Sequence, residues 1–252
     1  MGARRKDKTW IWQEIGMDIK AVLFDLDGTL LPMDMNEFTG GYFKIMCRKV
    51  APYGYEEEDL ISNIWKGTAS MVRNDGSRLN REAFWDTFAA IYGEEKLKDK
   101  VLFDEFYANE FDQARKFCGF NPLAGEVVRA SKDKGFRVIL ATNPLFPEVA
   151  TLARIGWAGL EPSDFEYITT YDNSCTCKPN PAYFLELCKK VSILPQECLM
   201  VGNDSEEDMI AETVGMKVFL LTDCLINKKN RDISAYPNGG FEELLSFIER
   251  LA

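Results

Sequence analysis

Four short apolar runs punctuate the chain, and each ends in polar residues. They are Ile19–Phe24, Phe136–Ala141, Cys198–Val201 and Lys217–Leu221. Runs of four to six apolar residues bounded by turn signals have the length of buried strands and are too short for core helices. Between and after them come segments with helical periodicity, at about Leu123–Lys134, Pro147–Ile155, Pro181–Val191, Glu206–Val214 and Phe241–Leu251. Strand and helix in alternation predict an α/β fold with a mainly parallel, Rossmann-like sheet. In such sheets the ligand crevice lies outside the carboxyl ends of the strands. Three of the four runs deliver polar residues there: Asp25-Leu26-Asp27-Gly28-Thr29, Thr142-Asn143-Pro144 and Gly202-Asn203-Asp204.

The stretch from about Leu31 to Phe120 breaks the alternation. It carries helical patterns dense in aromatic residues (Phe38, Tyr42, Trp65, Phe84, Trp85 and Phe106 among them) and no clear strand. The expected organisation is an N-terminal extension over 1–16, an α/β core formed by 17–30 and 121–252, and an inserted α-helical lobe over 31–120. The ordinary role of those aromatics is the core of that lobe.

Composition narrows the chemistry. The 252 residues contain no histidine. This removes Ser-His-Asp and Cys-His catalysis, histidine-ligated zinc and histidine acid/base work. Carboxylates, lysine, hydroxyls, thiols or a hard metal must carry any reaction. A formal net charge of −10 disfavours nucleic acid and anionic membranes as partners. No apolar run has the roughly 18–20 residues of a membrane span, and no leader-like apolar stretch follows the basic Met1–Lys8. Seven cysteines, an odd number spread along the chain, suggest thiols in a reducing compartment, so a cytoplasmic location is expected.

Asp25 and Asp27 stand two residues apart at a strand end, so both carboxylates can face one crevice. Like charges that close need a cation or a shared proton, and oxygen-only ligands favour Mg2+. Gly28 permits a sharp turn, and Thr29 adds a hydroxyl. Thr142 and Asn143 can bond phosphoryl oxygens without adding charge, though Thr-Asn-Pro is also a good turn. Lys178 precedes a helix opening and can neutralise an anion. Asp204 can complete a Mg2+ site with Asp25, while Asp208 serves either that site or the start of a helix. Together these residues describe a carboxylate nucleophile forming an aspartyl-phosphate, a metal that neutralises developing charge, and a second carboxylate that moves the proton.

The chain resembles the haloacid dehalogenase superfamily of phosphatases over about 19–30 and 122–225. Phe24-Asp25-Leu26-Asp27-Gly28-Thr29-Leu30 is similar to the first family motif, Thr142 to the second, Lys178 to the third, and Gly202-Asn203-Asp204 with Asp208 to the fourth. The resemblance implies that Asp25 is the nucleophile and Asp27 the general acid/base. It also implies Mg2+ on Asp25, the Asp27 backbone carbonyl and Asp204, with Asn203 in an outer-shell role. Thr142 and Lys178 would bind the phosphoryl group. The lobe over 31–120 resembles the family's helical cap, with Phe38, Gly40, Gly41, Tyr42 and Arg48 as candidate substrate contacts. The implied function is Mg2+-dependent hydrolysis of a small phosphorylated metabolite. A sugar-phosphate mutase would use the same core, and a phosphonate hydrolase would need an amine such as Lys44, Lys49 or Lys66. Dehalogenation is disfavoured by the acid at Asp27, and a phospho-receiver switch by chain length and by the Asp-x-Asp-Gly-Thr spacing. A non-catalytic binding module would be expected to lack the nucleophile or a metal ligand, and neither is missing.

Overall fold

A computed structural model describes residues 18–251. Six parallel strands form one sheet: β1 (Ala21–Phe24), β2 (Arg137–Leu140), β3 (Tyr167–Ile168), β4 (Cys198–Gly202), β5 (Lys217–Leu221) and β6 (Asn238–Gly239). Their spatial order is β3-β2-β1-β4-β5-β6, with Phe24 in register with Leu140 on one side and Val201 on the other. The four apolar runs are therefore the four central strands. The alternation of side chains explains why each run is apolar throughout. Val22, Phe24, Val138, Leu140, Leu199, Val201, Phe219 and Leu221 join the core on one face. Ala21, Leu23, Ile139, Ala141, Cys198, Met200, Val218 and Leu220 join the core on the other.

Helices cover both faces. The first core includes residues of α5 (Pro122–Asp133), α6 (Glu148–Trp157) and α8 (Phe241–Arg250). The second is built on Tyr183, Phe184 and Leu187 of α7 (Ala182–Lys190). Four further helices lie between β1 and α5: α1 (Met35–Val50), α2 (Glu57–Val72), α3 (Asn80–Tyr92) and α4 (Lys100–Asn109). Asp34 opens α1, its Oδ1 accepting from the backbone N–H groups of Asn36 and Glu37 at 2.8 and 3.0 Å. Most aromatics of this segment are core residues, and Phe38, Phe88, Phe106 and Phe111 are almost wholly buried. Trp65 is an exception at 51% exposed.

Two expectations change. The helix over Glu206–Val214 is shorter, a 3-10 turn at Met209–Val214, because Asp204 Oδ1 accepts from Glu206 and Glu207 N–H at 2.7 and 3.0 Å and holds the preceding residues in a turn. The edge strands β3 and β6, two residues each, carry no periodicity that the sequence could display. Residues 1–16, assigned to an extension, lie outside the described residues, and no helix among the described residues is long and apolar enough to cross a membrane.

Candidate active site

The carboxyl ends of β1, β2 and β4 open into a cavity of about 1190 Å³ whose lining includes Asp25, Asp27, Thr142, Asn143, Asn203, Asp204 and Asp208. Asp25 follows the last residue of β1 and is 7% exposed. Its two carboxylate oxygens are held from different directions. Lys178 Nζ donates to Oδ1 at 3.0 Å, and Thr29 Oγ1 lies 3.0 Å from Oδ2. Thr29 Oγ1 is equally 3.0 Å from Asn203 Oδ1, so one hydroxyl proton is shared between two acceptors. Gly28 makes this tight turn possible. Its φ is +82°, and a Cβ there would come within 2.3 Å of the Asn203 amide nitrogen.

Lys178, 1% exposed, also donates to Asp208 Oδ1 at 2.6 Å. Desolvation works against its charge. The carboxylates of Asp208 and Asp25 outweigh that and hold its pKa above the ordinary lysine value. Burial pushes the Asp208 carboxyl upward against the pull of Lys178. Asp208 Oδ2 accepts from the backbone N–H of Asp204 at 2.9 Å, which ties the Lys178 loop to the end of β4. Of the two roles open to Asp208, the structure thus shows contact with the site, and its side chain makes no helix cap.

Asn143 is engaged differently from a free phosphoryl donor. Its Oδ1 accepts from Lys178 N–H at 3.2 Å, and its Nδ2 donates to Glu207 Oε2 at 2.9 Å and the Lys178 carbonyl at 3.3 Å. It clamps the Lys178 loop. Thr142 is fixed through its backbone carbonyl, which accepts from Thr169 Oγ1 at 2.7 Å and Tyr183 Oη at 2.9 Å.

Arg154 is a residue that the strand and motif pattern does not reveal. It lies on α6, is 0% exposed, and its Nη1 pairs with Asp27 Oδ2. The guanidinium sits 4.3 Å from the centre of the Phe146 ring, and its Nε donates to the Ala150 carbonyl at 3.2 Å. Asp27 Oδ1, also buried, has no hydrogen-bond partner. Burial raises the pKa of Asp27; Arg154 pulls it down and Asp25 pushes it up, and the balance leaves it above the ordinary carboxylate value. The signal that was available is weak: an arginine in an otherwise apolar helix turn, Ala150-Thr151-Leu152-Ala153-Arg154-Ile155.

Among the described residues no three Cys, Asp or Glu side chains cluster as a metal cage. The Asp27 carboxylate is turned to Arg154 and that of Asp208 to Lys178, so among the lining residues at the ends of β1 and β4 the carboxylates of Asp25 and Asp204 are the pair that could hold a cation. Two carboxylates with water completing the shell is the donor set that suits Mg2+.

The model of the family "haloacid dehalogenase-like hydrolase" matches residues 19–211. The chain belongs to this family. Among its relatives, the phosphoglycolate phosphatase of Nitrosospira multiformis is 28% identical over 212 residues, covering 81% of this chain and 83% of the relative. The pyrophosphatase PpaX of Bacillus cereus is 27% identical over 206 residues, covering 80% and 82%. The solved structure of a HAD phosphatase from Thermococcus onnurineus superposes with a TM-score of 0.58 at 20% identity, covering 91% of this chain and 98% of that one, and shows the same fold.

Proposed function

We propose that this hydrolase is a phosphatase that cleaves phosphate monoesters through a phospho-aspartate on Asp25. The observation that carries the reading is Asp25 itself, a nearly buried carboxylate at a strand end, facing the cavity and held on both oxygens by Lys178 and Thr29. Such restraint fixes the nucleophile for in-line attack. The phosphatase and pyrophosphatase names of the relatives support phosphoryl chemistry at this site.

In the first half-reaction an Asp25 oxygen bonds to phosphorus and the ester P–O bond breaks, while Asp27 gives a proton to the departing oxygen. Oδ1 is the atom suited to carry that proton, since Arg154 holds Oδ2. In the second, Asp27 takes a proton from the water that attacks phosphorus, and Asp25 is released with inorganic phosphate. In this reading Lys178 offsets charge on the transferring group, and the hydroxyl of Thr142, a cavity-lining residue, donates to it. Mg2+ held by Asp25, Asp204 and the Asp27 carbonyl would supply further charge neutralisation when bound. The helices over 31–120 act as a cap on the crevice. Among the amines that a phosphonate hydrolase would draw on, Lys49 pairs with Glu110 at 3.1 Å and Lys66 donates to Asn63 at 2.8 Å, while exposed Lys44 lines the cavity.

The test is phosphate release from a panel of monoesters with Mg2+ or with EDTA. Release is expected with Mg2+ only, and Asp25→Asn is expected to lower it by at least about 10³-fold. Full activity in Asp25→Asn would rule out the phospho-aspartate.

A further inference from the structure

The cavity continues from the strand ends into the helical segment, where aromatic rings and the aliphatic side chains of Met46, Ile61 and Ile64 make up much of its wall. Phe43 of α1, Trp65 of α2, Phe84 of α3, Phe103 and Tyr107 of α4 and Phe146 after β2 all line it. A cavity of about 1190 Å³ lies above the usual range of roughly 300–1,000 Å³ for small-molecule sites. A two-carbon acid or a second phosphate would leave most of it unfilled. Trp65, edge-on to Phe43 at 5.6 Å, keeps 51% of its surface exposed although it lines this cavity. A large ring left bare in a concave wall marks a place where apolar ligand surface is buried.

Charge supports the same conclusion. Lys44 and Lys228 are the lining cations among the described residues, and both are exposed. Lys178 is committed to Asp25 and Asp208, and Arg154 to Asp27. Asp34, Glu57 and Asp223 join the site carboxylates in the lining and outnumber Lys44 and Lys228, a balance that disfavours a second anionic group on the substrate. Of the expected substrate contacts, Phe38, Gly40 and Tyr42 line the cavity, whereas Arg48 is exposed outside that lining and Gly41 packs on the Phe117 ring.

We infer that the organic part of the substrate is an uncharged, apolar alkyl or aryl group seated in this aromatic chamber, unlike the anionic glycolate or phosphate in the relatives' names. The phosphatase reading identifies the anchoring group; the chamber identifies what hangs from it.

The test separates the two. Phosphonates of increasing chain length, from ethyl to octyl, are titrated calorimetrically into the full chain with Mg2+, so that no turnover is needed. Affinity is expected to rise about fourfold per added methylene. Trp65→Ala and Phe84→Ala are each expected to flatten that slope, with thermal melts confirming that the variants are folded. Affinity that is undetectable or independent of length overturns the inference. So does tighter binding of phosphonoacetate, or of phosphocholine, than of hexylphosphonate. If length dependence is found but no ester is hydrolysed, the phosphatase reading fails and the chamber assignment stands. If esters are hydrolysed with no length dependence, the reverse holds.

Discussion

Arg154 holds Asp27 by one carboxylate oxygen and leaves the other free to carry a proton. In the proposed mechanism the pair orients the carboxylate and leaves Oδ1 to carry the proton. Replacing Arg154 with Met removes the charge but keeps much of the volume against Phe146. Alkyl phosphates need a protonated leaving oxygen, so kcat/KM on them is expected to fall by about 10²-fold. On p-nitrophenyl phosphate, whose leaving group needs little help, the loss should be under about tenfold. An equal loss on both esters would mean that Arg154 serves structure alone. Residues at strand ends were legible in the sequence because a buried apolar run ends there in a chemically distinctive cluster, as at Asp25, Asp27 and Thr29. Arg154 was not legible. An arginine in an amphipathic helix reads as surface until Asp27 and Phe146 are known to enclose it.

At the scale of elements, the end of β4 joins the strand to the Lys178 loop. Gly202 is its last residue, and a Cβ there would lie 2.2 Å from the Asp208 carboxylate. The missing side chain lets Asp208 approach the strand end and meet Lys178. Gly202→Ala is expected to push Asp208 from Lys178, lowering kcat by about tenfold or more and stability by about 1–3 kcal/mol in urea unfolding. Wild-type values for both would show that Asp208 has room to move. The central strands were readable as short apolar runs ending in polar residues, and the helices of the core from a period of 3.6 residues. The two-residue edge strands were not, since hydrogen bonding to a neighbour defines them and no side-chain pattern does. The shortened helix at 209–214 has a similar cause: side-chain bonds of Asp204 and Asp208 override the local helical periodicity.

In the molecule as a whole, a parallel sheet brings residues more than 150 positions apart in sequence into one site, as Lys178 and Asp25 show. A chain of net charge −10 thereby buries a lysine against the carboxylates of Asp25 and Asp208, beside the strand ends. The helical segment that follows β1 walls the same cavity, which joins the strand-end carboxylates and an apolar chamber in one space. That the motif residues gather at the strand ends was readable from their spacing. The chamber was hidden because its aromatics are scattered over four helices and resemble any helical core until their shared wall is seen. The central claim is the covalent intermediate on Asp25. Its most direct test is an acid quench during turnover of a 32P-labelled monoester with Mg2+, followed by peptide mapping. Label on the peptide containing Asp25, absent from Asp25→Asn, is the expected result; unlabelled protein during rapid phosphate release would contradict it.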